Sequence, residues 1–513
     1  MSAPLPRAYN AAVDFIDRHV PEGRGSKRAF VDDHRVLTYG ELAGQVARAG
    51  SALLGMRVEP EQRVAMCMLD SVDFPCVFWG AIKAGVVPVP LNTLLTTPDY
   101  AFMLQDCRAR VLVVSDALHE KVAPAAAASP LLRRVVKTSE LPQLLGAASQ
   151  QVDAAATCPD DVAFWLYSSG STGAPKGALH LHSSLAHTAE LYGSGVLGVR
   201  EDDVVFSAAK LFFAYGLGNG MTFPLRAGAT AVLMAERPTA AAVMRTMKVH
   251  EPSIFCGVPT LFASILASEA FDRAAGSPRL RVSISAGEAL PRHVGERWRE
   301  RFGSDILDGI GSTEMLHIFL SNRHGDVRYG TTGKPVPGYD VKLVDASGEP
   351  VADGEEGALW VRGPSACAGY WNQREKTLAT FHGPWTRTGD RYTRDADGYY
   401  TYAGRDDDML KVGGIWVSPF EVESALGEHD AVLEAAVVGH PDDEGLLKPR
   451  AFVVLKTPVE PETLNALDVL AAELKAFVKG RLAPYKYPRW IVFVRELPKT
   501  ATGKIQRYKL RAG

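Results

Sequence analysis

The sequence predicts an α/β fold, and three observations carry that expectation. Short apolar runs (RVAMCML, RVLVVS, DVAFWLY, ATAVLM, RVSIS) alternate with helical stretches, as buried strands do in layered α/β proteins. Thr38 and Glu41 form a T-x-x-E capping box ahead of Leu42, Val46, Ala49 and Leu53, which are apolar at helical spacing. After about residue 340 the texture changes, and YDVKLVD, GALWVRG and YYTYAG read as short strands between Gly, Asp and Pro turns. The charged, glycine-rich segment GRDDDMLKVGG, residues 404–414, is expected to be a linker. Beyond it FEVESALGEH reads as a helix, AVLEAAVVG and RAFVVLK as strands, and a helix runs through Leu474–Gly480, enough for a small domain of its own. Internal repeats and low-complexity tracts do not stand out.

At 513 residues the chain is long enough for about three domains or subdomains. Its 46% hydrophobic and 22% charged content are those of a soluble globular protein. A net charge of −3 gives no footprint for nucleic acid or a membrane surface, so neither is expected as a partner. The six cysteines (Cys67, Cys76, Cys107, Cys158, Cys256, Cys367) form no C-x-x-C pair and no metal spacing with histidine, which predicts reduced, partly buried thiols. The first residues lack a basic-then-apolar signal pattern. The most apolar stretch, CVFWGAIKAGVVPVPL, is interrupted by Lys83 and two prolines. The expected location is the cytoplasm.

The chemistry begins at residues 167–177, YSSGSTGAPKG. A buried strand is expected to end at Tyr167, after which small residues let backbone N–H groups approach an anion. Ser168, Ser169, Gly170, Ser171, Thr172 and Gly173 supply N–H and hydroxyl donors, and Lys176 supplies charge. A Walker A loop is excluded. Counted from Gly170, its second glycine falls on Pro175, and Gly177 stands where Ser or Thr should follow the lysine.

This loop closely resembles the phosphate loop of the adenylate-forming superfamily, which comprises acyl-CoA synthetases, peptide-synthetase adenylation domains and firefly-type luciferases. Further motifs follow in the family's order, and the resemblance covers essentially the whole chain. It implies a large N-terminal domain of α/β layers with a distorted β-barrel, residues 1–406, and a small mobile α+β C-terminal domain, residues 407–513. It also implies ATP, Mg²⁺ and coenzyme A as cofactor and co-substrates. DGIGSTEM, residues 308–315, matches the adenine and magnesium motif. By that resemblance Asp308, Gly309, Ile310 and Gly311 border ATP, Thr313 contacts the α-phosphate and Glu314 helps hold Mg²⁺. A lone carboxylate suits a magnesium ion that keeps waters and shares phosphate oxygens. Many members carry an aromatic residue where this chain has Ile310. SAGEALP, with Gly287, Glu288 and Ala289, resembles the strand-turn beside adenine. Asp390 of TGD and Arg405 look like the ribose contacts, and Asp407 falls at the family's hinge, whereas Asp406 reads as a solvated turn residue. Lys504 in PKTATGKIQR matches the mobile catalytic lysine, and Lys411, Gly413 and Gly414 match the face that serves the thioester step.

Amino-acid-activating relatives usually place an aspartate after the phosphate loop. Here the segment is KLFFAYGLGNG, with no acid to pair a substrate ammonium, and a buried unpaired amine is costly. This stretch and GSTEMLHIFLSNR closely resemble benzoate–CoA ligases. The match implies a flat aromatic pocket lined by Phe213, Ala214, Tyr215, Ala286, Gly311, His317 and Ile318. Plain core packing is the competing reading for Phe212–Tyr215 and for His317. The expected activity is that of an AMP-forming acid–thiol ligase joining an aromatic carboxylate to CoA. Loading of a carrier protein, activation of short or medium fatty acids, and a non-catalytic nucleotide-binding role stay open at this point, as does a homodimer.

Overall fold

The computed structural model describes residues 5–168, 175–406, 408–412, 415–443, 446–457, 464–483, 486–499 and 505–511. Its largest sheet has nine strands among the described residues. Val204–Ser207, Ile254–Gly257, Val282–Ser285 and Asp305–Gly311 lie side by side in parallel, with Thr230–Val232 and Arg28–Val31 continuing the parallel set on one side. Ile318–Ser321 folds back antiparallel on Asp305–Gly311 and closes the other side with Lys334–Pro335. A second, four-stranded parallel sheet is ordered Val87–Pro90, Arg63–Cys67, Val111–Val114, Arg134–Lys137. The apolar runs read from the sequence form strands in these sheets or, for Val162–Ser168, a separate antiparallel hairpin with Lys176–Leu181. Parallel strands in the interior bury both faces, which is why they read as continuous apolar runs.

The helix Tyr39–Gly55 starts at the predicted capping box: the Thr38 hydroxyl accepts from Glu41 N, and the Glu41 carboxylate accepts from Thr38 N at 2.8 Å. Its Leu42, Val46, Ala49 and Leu53 are buried. CVFWGAIKAGVVPVPL divides into the end of helix Asp73–Lys83 and the strand Val87–Pro90. Lys83 is buried there and ion-paired with Asp17 at 2.9 Å. Among the described residues no helix is long and apolar enough to cross a membrane. All six cysteines are free thiols, five of them buried.

From residue 340 an antiparallel half-barrel of five strands follows: Asp340–Val344, Glu356–Arg362, Trp385–Arg394, Phe381–His382, and Tyr400–Arg405 paired to Trp385–Arg394. The expected linker is more ordered than its composition suggested. Gly404 and Arg405 end a strand, and Leu410–Val412 pairs with Ile415–Val417. The C-terminal part then carries helix Pro419–Gly427, strands Val432–Pro441, Leu447–Leu455 and Trp490–Phe493 in one sheet, and helix Leu464–Lys479, which stops one residue before the expected Gly480. Val437, Ala451, Val453, Leu474 and Val478 give this part its own apolar core.

Candidate active site

The site is built at the ends of two β-hairpins. The first, Val162–Ser168 with Lys176–Leu181, brings Ser168 opposite Lys176 in register. The Ser168 hydroxyl is buried and has no hydrogen-bond partner among the described residues. Ser169, Gly170, Ser171, Thr172 and Gly173, between the two strands, lie outside the described residues. Burial pushes the Lys176 ammonium pKa down, and the Glu314 charge opposes the shift.

The second hairpin, Asp305–Gly311 with Ile318–Ser321, carries Thr313 and Glu314 at its tip. At the base of the tip Gly311 packs on His317, and a Cβ at 311 would stand 2.6 Å from the His317 carbonyl oxygen. Leu316 takes a left-handed backbone, φ 66°, to close this turn. The two hairpins are joined by a residue that the sequence reading missed. Tyr370 Oη donates to Glu314 Oε1 at 2.6 Å, while Lys176 Nζ donates to the same Oη at 3.3 Å and lies 4.4 Å from the ring centroid. Residues 368–371 lie beside Lys176–Leu181, joined by an isolated bridge between Tyr370 and Ala178: Leu179 N donates to Gly369 O and Trp371 N to Gly177 O. Nothing in the local string AGYW marks Tyr370 as polar machinery.

Asp390 and Arg405 stand opposite each other on paired strands, and Arg405 Nη1 donates to Asp390 Oδ1 at 3.1 Å. Gly389, at φ 77°, is pressed against that guanidinium; a Cβ there would meet Arg405 Nη2 at 3.0 Å. On the expected adenine side Gly287 has φ 97° and Glu288 Oε1 accepts from Ile505 N at 3.1 Å, so the chain just after Lys504 docks on this turn. Ala289 and Asp308 line a cleft of about 430 Å³ between the N- and C-terminal parts, with Thr332, Tyr402, Phe420 and Arg481. The cleft takes in this expected adenine side and not Lys176, Glu314, Asp390 or Tyr215. Burial raises the Asp308 carboxyl pKa well above the usual range, and its Oδ1 has no partner among the described residues. Gly309 is buried against Ile318, and Ile310 is half-buried.

The expected aromatic pocket splits into two kinds of residue. Phe213, Ala214 and Tyr215 are partly exposed, and Gly311 is exposed. Phe212 is core, packed on Phe213 with ring centroids 4.4 Å apart. Tyr215 Oη is 3.0 Å from both Gly257 O and Ile284 O, which fixes its ring across the ends of two parallel strands. His317 is buried among Phe223 (4.5 Å), Tyr192 (5.1 Å) and Tyr215 (5.8 Å). Neither of its ring nitrogens has a hydrogen-bond partner of good geometry among the described residues, and burial drives its pKa down to about 3. Ala286 and Ile318 are buried behind these groups.

Asp406 is not the solvated turn residue expected. Its carboxylate pairs with Arg387 at 2.9 Å and Arg391 at 3.6 Å, both on the half-barrel. Asp408 pairs instead with Arg507 and Arg511 of the C-terminal part. The backbone of Lys411 lies in the strand Leu410–Val412. Asp407, Gly413, Gly414 and Lys504 lie outside the described residues.

The chain belongs to the AMP-binding enzyme family, within the adenylate-forming superfamily. Residues 17–371 match the family's AMP-binding enzyme domain and residues 421–504 its AMP-binding enzyme C-terminal domain. The chain is 59% identical to the benzoate–CoA ligase of Thauera aromatica, over 99% of this chain and 97% of that protein. Among solved structures it is similar to a benzoate CoA ligase from Burkholderia xenovorans LB400, with 54% identity, TM-score 0.92 and coverage of 98% and 100%. It is also similar to the anthranilate CoA ligase AuaEII in complex with anthranoyl-AMP, with 43% identity, TM-score 0.95 and coverage of 99% and 98%.

Proposed function

We propose that this enzyme is an aryl–CoA ligase that converts benzoate or a small substituted benzoate, ATP and CoA into aryl-CoA, AMP and pyrophosphate through an aryl-adenylate. One observation carries the reading. A single hairpin holds Glu314 and Thr313 at its tip and the aromatic-pocket residues Gly311 and His317 in contact at its base. A carboxylate whose ring lies at that base presents its oxygens toward the tip, where the α-phosphate belongs.

In the first half-reaction a carboxylate oxygen attacks the α-phosphorus and the bond to pyrophosphate breaks. Both partners are anions, so the work is positioning and charge neutralisation. Lys176 and the phosphate loop take the β- and γ-phosphates, Thr313 the α-phosphate, and Asp390 with Arg405 the ribose hydroxyls. Asp308 offers its unpartnered oxygen to the adenine amino group. Lys504 bridges the carboxylate and the α-phosphate. Glu314 suits Mg²⁺, because one carboxylate beside phosphate oxygens matches that ion's habit of keeping waters. When bound, Mg²⁺ neutralises phosphate charge. In the second half-reaction the CoA sulfur attacks the acyl carbon, the thiol proton leaves and AMP departs. Lys411, Gly413 and Gly414 serve this step after the C-terminal domain rotates. The boundary falls between Asp406 and Asp407. The ion pairs of Asp406 with one part and of Asp408 with the other support it.

The packing of Tyr215 and His317 supports an aryl substrate. Tyr215 is held at two carbonyls and His317 is wedged among three rings, so these bulky groups cannot easily give way to a long alkyl chain. Incubation with ATP, Mg²⁺, CoA and separate acids is expected to give benzoyl-CoA with AMP and little hexanoyl-CoA by mass spectrometry. Preferential hexanoyl-CoA would overturn the aryl reading, and pyrophosphate exchange without any CoA thioester would overturn the choice of acceptor.

A further inference from the structure

We infer that Tyr370 is a positioning residue that keeps Lys176 and Glu314 apart, and so keeps both charges available to magnesium–ATP. The inference rests on the function proposed above. Lys176 and Glu314 approach one phenol from two hairpins, the first bonded to its oxygen at 3.3 Å and the second at 2.6 Å. They form no direct ion pair with each other. A direct pair in this half-buried place would neutralise the phosphate-binding cation with the metal-binding anion. Breaking it would then add to the work of binding nucleotide. The phenol satisfies both groups more weakly. It donates its single proton to Glu314 Oε1 and lends Lys176 its ring face and an oxygen lone pair. Among the described residues no partner contacts Glu314 Oε2, so the bond from Tyr370 fixes the carboxylate while one oxygen keeps its lone pairs for the ion.

Tyr370 is itself rigid. It is buried, its N–H donates to the Thr377 hydroxyl at 3.0 Å, its ring stands 5.6 Å from that of Phe381, and its flanks are hydrogen-bonded to the strand that begins at Lys176. A hydroxyl fixed on the same strand system as Lys176 sets the distance from Lys176 to Glu314 more firmly than either long side chain could.

The substitution Tyr370→Phe removes the hydroxyl and keeps the ring, its packing and its face toward Lys176. Binding of Mn²⁺ with ATP is measured by electron paramagnetic resonance of free Mn²⁺, in wild type, Y370F, E314Q and the double variant, alongside thermal melts. Y370F is expected to melt within a few degrees of wild type and to bind Mn²⁺·ATP about tenfold more weakly. Its turnover of preformed aryl-adenylate with CoA is expected to match wild type. In the E314Q background Y370F is expected to add no further loss, because its effect passes through Glu314. Unchanged Mn²⁺·ATP affinity in Y370F overturns the inference, and so does an equal loss in the presence and absence of Glu314. If the wild-type protein itself binds no Mn²⁺·ATP, the proposed function falls, and the inference falls with it.

Discussion

His317 shows how tightly one side chain of the proposed acid pocket is packed. Phe223 and Tyr192 hold its ring from behind, and Gly218 lies against its edge, where a Cβ would come within 2.4 Å of Cδ2. Gly218 has a helical backbone, so the missing side chain serves close approach and not an unusual φ. The substitution Gly218→Ala must therefore push the imidazole toward Tyr215 and Gly311, into the space proposed for the ring of the acid. Overpacking of this kind typically costs about 1–3 kcal/mol. Here the displaced group moves into the ligand space, so the loss should appear in the acid. The expected outcome is a KM for benzoate raised at least about tenfold, with ATP binding measured without the acid unchanged. A G218A enzyme with normal benzoate KM and lowered ATP affinity would place His317 outside the acid pocket.

At the scale of elements, the legible features are local ones. Strands declared themselves through apolar runs, and the helix Tyr39–Gly55 through its capping box. The strand Val162–Ser168 ahead of the glycine-rich segment followed from its apolar run, whereas its pairing with Lys176–Leu181 did not. Contacts between distant segments stayed hidden. Tyr370 meets Lys176 across 194 positions of chain, and no window of sequence brings them together. Asp406 and Asp408 look alike in GRDDD, and only the fold sends one to Arg387 and the other to Arg507. Asp70 is another such residue. It lies at the end of the strand Arg63–Cys67 region, fully buried, and accepts from Leu211 N, which starts the aromatic segment, at 3.2 Å. Burial lifts its pKa from 3.8 to about 6, against the pull of Lys210. A raised folded-state pKa contributes stability that is complete below the unfolded value and lost as pH rises through the folded one. The difference in unfolding free energy between D70N and wild type should therefore grow in favour of D70N by roughly 3 kcal/mol between pH 3.8 and 6, then level off. Urea melts of both proteins across that range test it, and a difference that stays flat with pH would show that folding leaves the Asp70 pKa at its unfolded value.

Across the whole molecule, four buried histidines carry the opposite pH dependence. His180 and His317 are driven down to about 3, and His19 and His182 to about 4, in each case chiefly by desolvation. His182 must also stay neutral at Nδ1, which accepts from Ala11 N at 3.0 Å. Their unfolded value is 6.5, so the unfolded chain binds protons first, and stability falls as pH drops from 6.5 toward 3–4. One pH unit below 6.5, four such groups together remove about 5 kcal/mol, a large share of an ordinary domain's stability. Thermal melts should therefore fall steeply between pH 6.5 and 5, and a flat profile there would mean that these imidazoles are protonated in the fold.

The same scale governs the proposed alternation between half-reactions. Asp406 is held by Arg387 and Arg391 on the half-barrel, and its N–H donates to Gly389 O at 3.0 Å, beside the Asp390–Arg405 pair. Two residues later Asp408 is held by Arg507 and Arg511 on the last helix, and Arg507 is further locked to Glu423 at 2.7 Å. Each aspartate is thus tied to a different part, and on the function proposed above the change of orientation would be absorbed between them. On the proposed function, releasing either anchor would loosen the pivot and add unproductive orientations of the C-terminal part. Partly exposed ion pairs contribute about 0.5–1 kcal/mol each. Each pair lost should therefore dilute the productive thioester-forming orientation about twofold to fivefold. D406A and D408A are expected to keep pyrophosphate exchange within about twofold of wild type while the reaction of preformed benzoyl-adenylate with CoA slows by that factor. The charge-retaining D406E and D408E should recover most of the rate. If both alanine variants form benzoyl-CoA from the adenylate at the wild-type rate, the two aspartates hold their own parts together without defining the pivot.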